Sequence, residues 1–403
     1  LDFIPRLIRK SEWLQVEKGL KQRVKALNMF IEDCYNKQQC LNESDIDKSL
    51  VLDSPAFKTY CIGMKLKHSA WSHICGSDLI KAHDGKFYVL EDNLRVPSGV
   101  CYMLENRMIM KRVFPELFYQ YGVTPIDAYP TKLYETLASV KNSRSKNPEI
   151  VLLTPGVFNS AYYEHSFLAQ QMGIDLVEGR DLIVDKDGFV YKKTIEGLIK
   201  IDVIYRRVDD DYLDPEQGNN NSAIGVKGLI KAWQEKKVAI VNSPGCGIAD
   251  DKAIYSFVPK MIRFYLNEEP IIKNIKTFIL TNKEQREHVF NNFKEMVIKP
   301  VAESGGYGIV IGKNCTRQEK ESTIRKVMNN PRNFVAQPLI SLSTAPTYSG
   351  ENIAPRHLDL RPFILTGENQ YVTVGGLTRV ALKEGSTVVN SSQGGGSKDT
   401  WIV

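Results

Sequence analysis

Residues 77–93 read SDLIKAHDGKFYVLEDN, and the way this segment pairs with itself decides where the chain gathers its acidic side chains. Asp84-Gly85 stands between two strand-like runs, a two-residue hairpin signal because both central residues of such a turn take positive φ. With those two at the turn, cross-strand partners sum to 169, which sets Asp78 opposite Glu91. Their Cβ atoms are then roughly 5 Å apart. Asn93, two residues beyond Glu91, falls on the same face. Two carboxylates and one amide oxygen converge, a hard-oxygen set that suits Mg²⁺ and leaves positions for phosphate oxygens. The same residues also read as an exposed hairpin end with solvated acids.

Far downstream, residues 297–308 read VIKPVAESGGYG. Lys299 closes a strand, and Ser304-Gly305-Gly306-Tyr307-Gly308 leads into another. A Walker loop needs Gly-Lys-Ser/Thr opening a helix, and a Rossmann fingerprint also needs a helix after its glycines. What remains is a glycine hairpin folding over a triphosphate with backbone N–H donors, or a plain mobile hairpin tip with Lys299 snorkelling from its strand. Downstream, RHLDLRPFIL places Asp359 and Arg361 on one strand face, and GGLTRVAL adds Arg379. Arginine grips phosphate with parallel N–H bonds, although each of these also reads as a surface ion pair. Asp250-Asp251-Lys252 opens a helix in which the aspartates serve as caps.

The chain has 403 residues, a net charge of +6 and 25% charged residues, enough for two or three domains of an ordinary globular protein. The charge lies in no long Lys/Arg block, so it fits an anionic ligand better than nucleic acid. Seven scattered cysteines without a C-x-x-C pair point to reduced thiols and a cytoplasmic location. No apolar run reaches membrane-spanning length. The start at Leu1, without methionine, reads as a trimmed fragment.

Residues 11–40 carry apolar side chains at helical spacing with Ser11 as N-cap, and a helix is expected from about Ser98 to Phe114. EIVLLT (149–154), the helical SAYYEHSFLAQQMG and IDLVEG form a strand–helix–strand unit of a parallel, Rossmann-like domain. LIKIDVIYRR and KKVAIVNSPG each add one strand. Beyond residue 250 the pattern turns to helix and hairpins, an antiparallel α+β region. SSQGGGSKDT reads on composition as a flexible linker, although apolar residues follow it.

The order Lys252, Lys299, SGGYG, Gln337, DLRPF, Arg379 resembles the ATP-grasp superfamily, which includes D-alanine–D-alanine ligase and glutathione synthetase. In that comparison FVAQPLI takes the place of the hinge strand at adenine. DLRPFIL takes that of a strand whose arginine meets the phosphates. The Asp … Glu-x-Asn metal set that normally ends such a domain stands here near the start, in the hairpin, so the domain is expected to be circularly permuted. VLEDNLRVPSGVCYMLENR, TPGVFNSAYYEHSFLAQQMG, DVIYRRVDDDYLDP and NSSQGGGSKDTW resemble the bacterial circularly permuted ATP-grasp type 2 family, once labelled glutathionylspermidine synthase-like. The separate amidase domain of the bifunctional synthases is absent from these residues.

The resemblance implies a mixed α/β and α+β chain: a permuted ATP-grasp segment with the metal hairpin (1–125), an inserted Rossmann-like pre-ATP-grasp domain (126–249), a nucleotide lid (250–338) and the rest of the palm (339–403). It implies ATP- and Mg²⁺-dependent ligation of a small-molecule or peptide carboxylate to an amine through an acyl phosphate, with ADP released. Asp78, Glu91 and Asn93 would hold Mg²⁺. Lys252, Lys299, Ser304, Gly305, Gly306, Tyr307, Gly308 and Gln337 would hold ATP, and Arg361 and Arg379 would act on the transferred phosphoryl group. Arg95, Arg206 and Arg207 are candidates for a substrate carboxylate, or ion pairs with Asp209–Asp211. A phosphotransferase using the same site, and a non-catalytic ATP-binding scaffold working through a partner protein, stay open.

Overall fold

The hairpin forms, with strands Ile74–Lys81 and Phe87–Asn93, and Asp78 faces Glu91. The route to that register differs from the expected one. The turn holds three residues, His83 to Gly85, closed by Ala82 N to Lys86 O at 3.0 Å and Gly85 N to Ala82 O at 3.0 Å. Of Asp84 and Gly85, only the glycine has positive φ, at 74°. Partners next to the turn therefore sum to 168, as in Lys81 with Phe87. A β-bulge that leaves Leu90 unpaired restores 169 from Asp78 outward.

The computed structural model describes residues 1–44, 46–301, 308–340, 342–348, 350, 352–382, 389 and 395–403. Across its free edge the first hairpin strand pairs antiparallel with residues from the far end of the chain, Leu79 with Leu360 and Gly76 with Phe363. Among the described residues these belong to a ten-stranded sheet. Its main path runs Asp2–Ile8, Gly396–Ile402, Leu377–Val380, Ile353–Arg361, Ile74–Lys81, Phe363–Thr366 and Gln370–Val372. The linker reading of the C-terminal segment is corrected from Gly396 on. Residues 396–402 form an interior strand with Lys398, Asp399 and Trp401 buried, because Lys398 is held by Asp2 and Asp399 by Arg107. Residues 390–394 lie outside the described residues.

Helix Lys10–Tyr35 covers one face of the sheet. Trp13, Val16, Leu20, Val24, Leu27, Ile31 and Tyr35 make its buried stripe, at the three- and four-residue spacing of one helical face. Its N-cap is Arg9 rather than Ser11, which falls inside the first turn. From this stripe Arg23 grips Asp92 with three N–H contacts of 2.6–2.9 Å. Alternation along the hairpin strand thus sends Asp92 to the helix and its neighbours Glu91 and Asn93 to the opposite face.

Strands Ala239–Val241, Val203–Arg206, Ile150–Leu153 and Asp175–Val177 form a parallel four-stranded sheet in that order, with helix Tyr162–Met172 as the crossover ending at left-handed Gly173. LIKIDVIYRR is two strands, not one: Gly197–Lys200 joins a small antiparallel sheet with Leu182–Val184 and Val190–Thr194, and only Val203–Arg206 enters the parallel sheet. A further antiparallel sheet orders Phe278–Ile279, Phe334–Pro338, Met296–Pro300 and Val310–Ile311. It closes over a core of its own that includes Phe278, Leu280, Val289, Phe293, Ile298 and Val327.

Candidate active site

A cleft of about 810 Å³ runs between the ten-stranded sheet and the sheet of residues 278–338. Asp78, Glu91, Asn93, Lys252, Lys299, Gln337, Arg361 and Arg379 all line it. The hairpin supplies the first three, the helix Lys252–Tyr255 the fourth, and strands Met296–Pro300, Phe334–Pro338, Ile353–Arg361 and Leu377–Val380 the rest.

At its base four side chains interlock. Arg361 donates Nε to Asp78 Oδ1 at 2.5 Å and Nη2 to Oδ2 at 2.7 Å, and Arg379 Nη2 reaches Oδ2 at 2.7 Å. Arg379 also donates Nε to Asp359 Oδ1 at 2.9 Å and Nη2 to the other oxygen. Burial alone would push the Asp78 carboxyl up, but Arg361 and Arg379 outweigh it and hold the group well below the usual carboxylate range. Glu91 moves the other way: burial, then the Asp78 charge, raises it against the pull of Lys252 and Lys299.

These donors fit a magnesium ion in one specific sense. Glu91 faces Asp78 across the hairpin, and a cation between them would offset the burial and the Asp78 charge that raise Glu91. Asn93 donates Nδ2 to Gly76 O at 3.0 Å, which fixes which end of its amide is the oxygen. Among the described residues no group of three His, Cys, Asp or Glu side chains forms a metal cage. Mg²⁺ binds through one or two carboxylates and completes its shell with water and ligand phosphates.

Opposite the carboxylates stand the lysines. Asp251 caps its helix, accepting from Ala253 N at 2.8 Å, and so sets Lys252 in the first turn with Nζ 3.9 Å from Glu91. Lys299 is buried, and burial lowers its ammonium while Glu91 supports it. Gln337 donates to Thr277 Oγ1 at 3.0 Å and faces the cleft beside Pro338. Gly308 has φ 69°, and a Cβ there would sit 2.8 Å from Pro300 Cγ. Ser304, Gly305, Gly306 and Tyr307 lie outside the described residues.

The three remaining arginines do not line the cleft. Arg95 bridges Asp209 at 3.0 Å and Asp250 at 3.2 Å. Arg206 is fully buried and takes the ion-pair alternative: it binds Asp210 at 2.7 Å and donates to Asn242 O and Val208 O. Arg207 stands behind the wall, donating to Glu164 at 3.1 Å and Pro97 O at 2.7 Å. Sequence reasoning gave no role to Asp359, and it took Asp250 for a cap. Asp250 instead accepts from Leu94 N at 2.6 Å and Arg95 N at 3.1 Å, pinning the chain just past Asn93. Glu164, on the cleft wall, went unnoticed because nothing in its helical stretch separates it from a surface acid.

The model of the family described as circularly permuted ATP-grasp type 2 matches residues 5–381. An uncharacterized protein of Synechocystis sp. is 49% identical over 404 residues, covering 100% of this chain and 84% of the relative. A protein of Frankia casuarinae named "Putative glutamate--cysteine ligase 2-2" is 38% identical over 404 residues, covering 100% of this chain but 46% of its own length. Among solved structures, a glutathione synthetase-like effector from Globodera pallida in its apo form shares the fold, with a TM-score of 0.61, 12% identity, and coverage of 100% of this chain and 90% of that one.

Proposed function

The chain belongs to the circularly permuted ATP-grasp type 2 family, and on that premise we propose that it is an ATP- and Mg²⁺-dependent ligase that joins a carboxylate to an amine through an acyl phosphate, releasing ADP. One observation carries the reading. Residues from six separate stretches of the chain, the furthest 301 positions apart, meet in one cleft with the carboxylates on one wall and the lysines facing them. The ligase name of the Frankia relative is of the same carboxylate–amine class, although it describes a much longer protein.

In this reading Lys252 and Lys299 hold the phosphates and Gln337 lies along the adenine side. Asp78, Glu91 and Asn93 would hold Mg²⁺, which neutralises charge on the phosphate oxygens. A substrate carboxylate oxygen attacks the γ-phosphorus and the bond to ADP breaks. The amine then attacks the acyl carbon, loses a proton, and phosphate departs. Arg361 and Arg379 would stabilise charge on the transferred phosphoryl group, the main task of a protein in such chemistry.

The test is ADP release from the purified chain with ATP, Mg²⁺ and a panel of carboxylic acids, each with and without amines. Release that needs both an acid and an amine supports the ligase. Release with a phosphorylated product and no amine would make the protein a phosphotransferase, and nucleotide binding without release across the panel would make it a scaffold.

A further inference from the structure

A second crevice, of about 360 Å³, shares no lining residue with the cleft. Its walls come from residues 64–67, the segment after helix Tyr129–Ser139, the end of helix Leu229–Gln234, and the edge strand Ala239–Val241 of the parallel sheet. Three exposed lysines, Lys65, Lys67 and Lys236, stand at its rim, and no aspartate or glutamate lines it. Lys67 donates to Lys141 O at 3.1 Å. Among the described residues the ammonium groups of Lys65 and Lys236 have neither a carboxylate nor a hydrogen-bond partner. With no acidic side chain in the lining, the rim presents a positive field toward an anion.

Its wall is mixed: Met64, Trp233 and Ile240 stand beside Asn142 and Ser243, and His73 also lines it. His73 is only 4% exposed; its ring is influenced by the Trp71 backbone, and its Nδ1 makes no hydrogen bond among the described residues. Burial pushes the imidazole down to about 3, so the ring is neutral near pH 7. Leaving such a buried polar atom unpaired costs on the order of 1–3 kcal/mol, which a polar ligand atom would recover.

We propose that this crevice is a binding site for a small organic anion, its apolar body against Met64, Trp233 and Ile240, its charge beneath Lys65, Lys67 and Lys236, and a polar atom at the ring of His73. The site adjoins the hairpin: His73 immediately precedes the strand carrying Asp78, and its backbone N–H donates to Asn242 Oδ1 at 2.8 Å.

Phenyl phosphate serves as the probe, in calorimetric titrations of the parent chain and of a Lys65→Ala/Lys236→Ala double variant, each with and without saturating Mg²⁺ and ATP. The expected result is saturable binding that survives the nucleotide and weakens at least about tenfold in the double variant, a change of roughly 1.4 kcal/mol. A Met64→Glu variant, with a carboxylate set into the crevice from an irregular segment, is expected to abolish the heat while melting like the parent. Inorganic phosphate should bind more weakly than phenyl phosphate. No saturable heat in the parent, binding that ATP displaces, or equal affinity in the double variant would each overturn the site.

Discussion

Asp78 and Arg361 lie 283 residues apart and share two hydrogen bonds, at 2.5 and 2.7 Å, beneath the cleft. The pair fastens the hairpin from the first quarter of the chain to the strand near its end. It also means that both oxygens of Asp78 are already engaged, so a cation at Glu91 and Asn93 shares this carboxylate with Arg361 and Arg379. Asp78→Asn keeps the shape and leaves Arg361 without an anionic partner among these groups. Removing one member of a buried pair costs about 3–5 kcal/mol. The expected outcome is a fall of that order in urea denaturation, and an unchanged midpoint would show that the pair does not bind the two ends together.

Acid provides a second handle on the same group. Asp78 is held below its unfolded value, so its contribution is fully present above about pH 4, where the unfolded carboxyl is ionised, and is lost as pH falls through the lower folded value. Melting temperature should therefore drop more steeply below about pH 4 in the parent than in Asp78→Asn. Parallel pH profiles would count against the arginine-held carboxylate.

Glu91 predicts the opposite behaviour. Its folded value is raised, first by burial and then by Asp78, so its ionised form weakens the folded state at pH 7 when no cation is bound. Glu91→Gln should melt no lower than the parent without ligand. In the parent, Mg²⁺ and ATP at about 100 times the dissociation constant should stabilise by roughly 2.7 kcal/mol, and the variant should lose most of that. Lys299→Met should behave likewise, since burial already disfavours its charge. If both variants keep the full ligand-induced shift, the hairpin and the lysine strand do not serve one site.

Much of this arrangement is legible in the sequence because strand alternation and turn chemistry are local rules. The Asp78–Glu91 pairing follows from them, although the turn is one residue longer than Asp84-Gly85 suggests and the bulge at Leu90 compensates. The strand–helix–strand unit at 150–177 reads directly from an uninterrupted apolar run followed by a helical one. What the sequence hides is long-range pairing of charge. Arg206 and Arg361 look alike in their strands, yet one is sealed among Asp210 and backbone carbonyls and the other faces the cleft. Asp250 and Asp251 are adjacent acids before a helix, and only packing against Leu94 and Arg95 separates a pinning role from a cap.

Asn242 gives the last prediction. It is buried, and its Oδ1 accepts from His73 N and Ile74 N, both at 2.8 Å. Its Nδ2 donates to Ile74 O at 2.7 Å, Leu94 O at 2.8 Å and Arg95 O at 3.0 Å. One side chain thus ties the start of the first hairpin strand to the residues just past the end of the second, where the open ends would otherwise splay. Asn242→Ala strands several buried backbone groups at about 1–3 kcal/mol each, so a loss of roughly 3 kcal/mol or more is expected in urea denaturation. Asn242→Asp keeps the acceptor but turns a buried carboxylate oxygen toward the three carbonyl oxygens, and should lose at least as much as Ala at neutral pH. Because Asp78, Glu91 and Asn93 all hang from these two strands, the Mg²⁺–ATP shift of the Ala variant should also shrink at a temperature where it is fully folded. A variant that is destabilised yet keeps the whole shift would confine Asn242 to stability alone.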